Sequence, residues 1–428
     1  MRYTTSTPTI KLKITSDKLF ALLIGVMFCH YTLFDYFVVI IGKLPVISIL
    51  KNFFFPILYS LLAILSLKSS RFKWIRVTDI EIILFVSISI FLSIVFYPQN
   101  AQYISSALWT DILPCIPFFL IGLCMNLDED AYKTVSLMSC LAILVNTLYV
   151  IYFLDSGRVL GGSHGEDYSM HRAYLLLPNI LIAIDYFFKS RKLFPAICCV
   201  VGIIYTFAMG TRGPVVVLAV FIIVCIWRYI NLPTSKKTIL LIGVGLVVLI
   251  FFLSPLYMQA LLGMRDFLIN SGVSTRVVDY LIDGEMISQT TGRTDIYVDL
   301  LKKLSERPFL GYGVYGEYSI GYLAGAHNIY LQIVFQFGYP LGIILLISYI
   351  SIFINAFMKT KGSLTQRWIV LFGCLVFVSG IFGGNWLDYT VFFLLGFCLK
   401  SLREAKYKRK TNDKIGETSY GAQGVYNL

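Results

Sequence analysis

The chain has 428 residues, of which 57% are hydrophobic and 14% charged, with a formal net charge of +12. That much apolar surface exceeds what one water-soluble core can bury, which excludes a soluble globular domain and requires lipid as solvent. The apolar runs lack the alternation of a membrane strand barrel, leaving an all-α integral membrane fold of about twelve transmembrane helices.

In chain order, spans are predicted at 19–42, 52–67, 79–97, 105–126, 133–154, 173–188, 193–209, 213–231 and 238–257, so that residues 1–257 form an N-terminal membrane bundle of about nine helices. Residues 258–326 then form one large extracytoplasmic loop. Within it, Tyr257 to Asn270 and Thr294 to Leu304 carry apolar residues at helical spacing opposite charged ones, the pattern of two amphipathic helices. Pro308 ends the second, and Gly311-Tyr312-Gly313 supplies a flexible turn back toward the bilayer. Spans at 329–357, 368–386 and 388–401 give a C-terminal membrane bundle of about three helices over 327–402, followed by a basic cytoplasmic tail, 403–428.

This topology puts most of the 36 Lys and Arg residues on the side of the two termini. By the positive-inside rule both termini are cytoplasmic, and the net charge is explained without nucleic acid as a partner. The first apolar segment is too long for a cleaved signal and is expected to remain as helix one. The nine cysteines fall within or at the edges of spans, with no metal-ligand spacing, and read as small apolar residues. No internal repeat is visible, which argues against an inverted-repeat transporter.

Function is expected where the chain leaves the membrane. His327, in Ala326-His327-Asn328-Ile329-Tyr330-Leu331-Gln332, stands where the large loop re-enters; a polar helix cap is the other reading of that stretch. Arg158, Arg172, Arg212, Arg265, Arg276, Arg293 and Arg307 all fall on the outer side, where that rule disfavours them. Guanidinium offers a planar donor fork matched to phosphate oxygens and stays charged at any relevant pH. Arg212 lies in Met209-Gly210-Thr211-Arg212-Gly213-Pro214 between two tightly spaced spans; snorkelling to the interface is its alternative role. For Arg265, Arg276, Arg293 and Arg307 the alternative is pairing with Asp266, Asp279, Asp295 and Glu306. No Walker loop, His/Cys cluster or outer Asp-x-Asp pair is present, so no cofactor or metal is expected.

Gly292-Arg293-Thr294-Asp295, then Arg307-Pro308-Phe309-Leu310-Gly311-Tyr312-Gly313, then Ala326-His327-Asn328 running on to Gly338, resemble the O-antigen ligase and polymerase family, and Thr211-Arg212-Gly213 strengthens the match. The resemblance implies a bacterial enzyme of the cytoplasmic (inner) membrane that transfers a glycan from a polyprenyl (undecaprenyl) diphosphate carrier at the periplasmic face. The acceptor would be another carrier-linked repeat unit, for a polymerase, or lipid A core, for a ligase. It further implies that Arg212 and a loop arginine (Arg276 or Arg293, with Arg265 a further candidate) hold the diphosphate. His327 would contact or activate the acceptor hydroxyl, with Asn328, Tyr330 and Glu166 positioning the acceptor. Glu166, Asp167 and Asp388 are alternative bases. Leu341 stands where the ligase motif has a small residue or Tyr, which leans the reading toward polymerase. Partners implied are the lipid-linked oligosaccharide, membrane lipid, and a chain-length regulator and flippase of the same pathway. A lipid-linked glycan flippase using Asp35, Lys51 and Asp111 is the rival from another class.

Overall fold

The computed structural model describes residues 75–125, 128–154, 170–209, 212–229, 255–270, 293–321 and 325–423, with isolated positions elsewhere. The predicted spans 19–42 and 52–67, and nearly all of 238–257, lie outside the described residues. The described chain is helical, with no strand. Among the described residues, five helices are long and apolar enough to cross a membrane: Val77–Phe96, Glu129–Leu148, Ala173–Ser190, Ile329–Lys359 and Leu364–Phe382. Three shorter apolar helices, Leu113–Cys124, Leu193–Phe207 and Gly213–Tyr229, accompany them.

We number the helices α1 (Val77–Phe96), α2 (Ala101–Ala107), α3 (Leu113–Cys124), α4 (Glu129–Leu154), α5 (Met170–Ser190), α6 (Leu193–Ala208) and α7 (Arg212–Tyr229). There follow α8 (Pro255–Asn270), α9 (Arg293–Glu306), α10 (Gly316–Ser319), α11 (Ile329–Lys359), α12 (Leu364–Gly373), α13 (Ser379–Phe382) and α14 (Tyr389–Gln423). The two amphipathic helices expected in the large loop are α8 and α9. On α9, Ile296, Leu300 and Leu304 fall on one face and pack against Leu331, Val334 and Phe335 of α11. The larger core joins α3 to α7 with α12 and α14, around Phe118, Phe221, Trp368 and Phe393. A second core joins α1 and α3 to α11 and α14 around Phe119, Phe337, Trp386 and Leu387.

Several boundaries differ from those predicted, each for a local reason. The span at 105–126 is not one regular helix: a π turn, Leu108–Ile112, separates α2 from α3. Pro114 and Pro117 lack the N–H groups that the Thr110 and Leu113 carbonyls would otherwise accept, and the ladder widens so that Leu113 N–H reaches the Leu108 carbonyl. The span at 368–386 stops at Phe382, where Gly383 is extended and Gly384 takes a φ of 93°. At the other end α14 does not stop at 401. It continues to Gln423 through the Lys-rich segment, and Arg403, expected in a solvated tail, is buried.

The largest departure is within α11, where Gly338 adopts φ 76°, ψ 169° and breaks the helix. Pro340 has no N–H for the Gln336 carbonyl, and Tyr339 N–H bonds instead to the Pro308 carbonyl at 2.7 Å. The two orphaned carbonyls are taken by the incoming loop: Tyr312 N–H reaches Phe335 O at 3.0 Å, and Gly313 N–H reaches Gln336 O at 2.9 Å. The expectation of a flexible Gly311-Tyr312-Gly313 turn is therefore corrected. The segment is buried and hydrogen-bonded on both sides, with Tyr97 Oη donating to Gly311 O and Asn100 Nδ2 to Tyr312 O and Val314 O. Gly311 and Gly338 lie back to back, both at positive φ: a Cβ on Gly338 would overlap the Phe309 carbonyl, and one on Gly311 would overlap the Phe335 and Gln336 carbonyls.

At the end of the bundle where α1 begins, charged groups tie the helices. Arg403 grips Asp79 through both guanidinium nitrogens at 2.6 and 2.7 Å. Asp185 on α5 accepts from Arg367 at 2.9 Å, Tyr132 Oη at 2.8 Å and Tyr229 Oη at 2.7 Å, which links α4, α5, α7 and α12.

Candidate active site

The opposite end of the bundle gathers three helix starts. His327 has a left-handed backbone (φ 49°), an uncommon conformation for a non-glycine residue, and it turns the loop sharply into α11. Asn328 caps that helix, its side-chain oxygen accepting Leu331 N–H at 3.0 Å. The His327 carbonyl in turn accepts from Tyr297 Oη at 3.2 Å, tying α9 to the same point. Arg293, the first residue of α9, stands one turn before Tyr297 along the same helical row.

Arg212 is the first residue of α7, and its neighbour Gly213 is pressed against Tyr174 and Phe382, such that an added Cβ would overlap the Tyr174 hydroxyl and crowd Phe382. Two glycines flanking Phe382, Gly380 and Gly384, face Ile329, the first residue of α11. The segment Gly380–Gly384 thus bridges the start of α7 to the start of α11. Aligned peptide dipoles put partial positive charge at both helix starts, an arrangement that favours an anion near them.

Below this point the first half of α11 is held by a buried polar network. Glu317 on α10, which burial leaves with no exposed surface, accepts from Gln332 Nε2 at 2.5 Å and from Gln336 Nε2 at 2.9 and 3.0 Å. The same two amides accept from Trp386: its backbone N–H meets Gln332 Oε1 at 3.1 Å, and its indole Nε1 meets Gln336 Oε1 at 2.6 Å. Burial pushes the Glu317 carboxyl above the ordinary carboxylate range, while the amide donors oppose the shift. Beside it, Tyr315 (φ 62°) donates to Asp111 Oδ2 at 3.2 Å and accepts from Asn385 Nδ2 at 2.9 Å. Tyr318 packs at a tilt between the rings of Tyr103 and Tyr315, and burial pushes its hydroxyl up to about 12.

An apolar cavity of about 470 Å3 opens beneath the start of α11. Ile329, Tyr330 and Trp386 line its upper part, Phe85, Tyr349 and Phe377 its walls, and Thr78 and Glu81 its lower end. It runs between α1 and α11, helices of whose apolar windows only 17% and 11% are buried. The faces left uncovered are suited to contact with lipid chains.

The sequence-predicted residues divide accordingly. His327 and the Arg212 and Arg293 positions are brought to one end, around the Gly380–Gly384 bridge and Tyr297. Asn328 caps α11, and Tyr330 lines the cavity with its hydroxyl donating to Phe377 O at 2.7 Å. Arg265, on α8, pairs with Asp279 at 2.8 Å, the alternative the sequence held open for it. Arg276 and Glu166 lie outside the described residues. Arg307 sits over the rings of Tyr97 and Tyr312, 5.6 and 5.2 Å from their centroids, and secures the inserted loop. Among the described residues no group of three or more His, Cys, Asp or Glu could hold a metal ion. Glu317, Gln332, Gln336, Asn385 and Trp386 were not singled out from the sequence. A signal existed in Gln332 and Gln336, polar residues one turn apart in an otherwise apolar stretch.

Residues 197–347 match the family model described as O-Antigen ligase. The match covers about a third of the chain, from α6 into α11, and takes in Arg212, Arg276, Arg293 and His327. No curated protein matches the chain.

Proposed function

With residues 197–347 an O-antigen ligase-family segment in a membrane protein, we propose that the chain is a metal-independent glycosyltransferase that polymerises O-antigen or a related surface polysaccharide. It moves the growing glycan from an undecaprenyl diphosphate carrier onto a carrier-linked repeat unit, at the outer face of the bacterial cytoplasmic membrane. The observation that carries this reading is the convergence of the α7 and α11 starts, with Arg212 and His327, above an apolar groove between α1 and α11. A diphosphate suits the helix starts and the arginines; an isoprenoid tail suits the groove.

In the proposed reaction an acceptor hydroxyl oxygen attacks the anomeric carbon as its bond to the diphosphate oxygen breaks. The electron pair leaves with the diphosphate, whose developing charge is met by Arg212, Arg293 and the two helix starts. His327 orients the hydroxyl and takes its proton as the new glycosidic bond forms. Both termini face the cytoplasm, so the site lies at the periplasmic side.

The matched family's description favours one second reading, ligation of finished glycan to lipid A core. One experiment separates the two. A gel of surface glycan is run from cells lacking this protein and from cells re-supplied with wild type or His327→Ala. A single repeat unit on the acceptor, with the ladder gone, supports polymerase. Loss of every repeat while carrier-linked polymer accumulates supports ligase, and an unchanged ladder overturns both.

A further inference from the structure

The break at Gly338 separates the first turns of α11, which carry His327 and Asn328 at their start, from the long lipid-facing remainder of the helix. At the break the Phe335 and Gln336 carbonyls bond to the inserted loop and Tyr339 N–H bonds to Pro308, so the orientation of residues 329–337 is not simply inherited from the span that follows. Something else must set it. At the start of this half-helix the ties include Tyr297 on the His327 carbonyl, the Tyr330 hydroxyl on Phe377 O, and Gly380 and Gly384 against Ile329. Lower down, Gln332 and Gln336 are clamped from two directions. Glu317 holds them from the inserted loop, and Trp386 holds them from the segment that follows the Gly380–Gly384 bridge to α7.

Resting on the proposed transferase reading, we infer that Glu317 is a positioning residue for glycan transfer: through Gln332, Gln336 and Trp386 it fixes His327 relative to the Arg212 end of α7. The chemistry of the network is directional. Each glutamine donates its N–H groups to the carboxylate and accepts from Trp386 with its carbonyl, so the carboxylate decides which way both amides point. Reversing either amide would set donor against donor at Trp386. In a dry interior such a network is rigid when every member is satisfied and fails as a unit when one is not. Replacing the carboxylate by an amide puts an NH2 group against at least the Gln336 NH2, which contacts both carboxylate oxygens, while volume and shape stay the same. Moving the carboxylate across the network, in the double variant E317Q/Q336E, restores acceptor facing donor. The amide now on α10 donates to the carboxylate now on α11, which still receives the Trp386 indole N–H, and it accepts from Gln332.

The test uses the purified full-length protein with polyprenyl-diphosphate-linked oligosaccharide as donor, and reads kcat, KM and amide hydrogen exchange of residues 329–337 in the same preparations. For E317Q the expectation is a kcat roughly tenfold to a hundredfold lower, the loss that a small misplacement of a reacting group produces. KM for the donor should stay within about twofold, because diphosphate and tail contacts are untouched. Exchange over 329–337 should accelerate, and E317Q/Q336E should recover both kcat and protection. Wild-type kcat in E317Q, or protection restored in the double variant without kcat, overturns the inference. If E317Q does not accumulate, Trp386→Phe keeps an aromatic ring and removes the indole donor to Gln336, and an unchanged kcat there also overturns it. Wild-type protein that forms no glycosidic bond sinks the transferase reading instead, while amide exchange still reports whether Glu317 holds the half-helix.

Discussion

The two ends of the bundle are held together by different chemistry. Where α1 begins, buried charges do the tying: Arg403 on Asp79, and Arg367 with two tyrosine hydroxyls on Asp185. Where α7 and α11 begin, the ties are backbone hydrogen bonds across the Gly338 break, a helix cap and neutral amides around Glu317. The contrast follows from what each end must do. A buried ion pair uses up the charge of both partners, which suits a fixed joint. On the proposed reading an end that grips a diphosphate keeps cations for the ligand, and apart from Arg307 over Tyr97 and Tyr312 its ties come from neutral groups, with the carboxyl of Glu317 enclosed apart.

The contrast can be broken by substitution at either end. The largest effect is expected from His327→Ala: kcat falls roughly 10²- to 10⁴-fold, as for loss of a general base, with the unfolding midpoint in detergent unchanged. A loss of turnover matched by a loss of fold would make His327 part of the scaffold. At the other end Arg367→Met leaves Asp185 buried without its cation, although Tyr132 and Tyr229 still donate to it, and should cost about 3 to 5 kcal/mol of stability. Its turnover per folded molecule should hold, and chemical or thermal denaturation reads the difference. Removing Asp185 as well, as Asp185→Leu, should return part of the loss. The smallest effect is expected from Tyr297→Phe, which deletes the hydroxyl on the His327 carbonyl. A kcat decrease of roughly fivefold, equivalent to about 1 kcal/mol, would place α9 in the alignment of His327, and no change would leave it as cover.

Much of the architecture was legible because it follows hydropathy. Each predicted span that falls among the described residues begins or ends within a few residues of a helix there, and the amphipathic periods of 257–270 and 294–304 correspond to α8 and α9. What was not legible depends on partners distant in sequence. Pro340 after Gly338 hinted at an interrupted helix, yet only the loop residues Pro308, Tyr312 and Gly313 show how the interruption is satisfied. Arg403 looked like tail because its neighbours are Lys-rich, and its partner Asp79 is 324 positions away. Of the residues proposed for the site, His327 and Arg212 are chosen by residue type and place. Glu317 could not be chosen in this way, because nothing local distinguishes it from an ordinary loop carboxylate until Gln332 and Gln336 close over it.

The back-to-back glycines carry a consequence for how the protein is made. During synthesis the chain emerges from the N-terminal side, so Pro308, Tyr312 and Gly313 exist before Phe335, Gln336 and Tyr339 do. Until the later residues arrive, the loop's N–H groups have no acceptors. A half-made chain therefore lacks the helix start that bears His327 in its final place until residues beyond Tyr339 have been made. On the proposed transferase reading, an unfinished molecule would lack its site in working form.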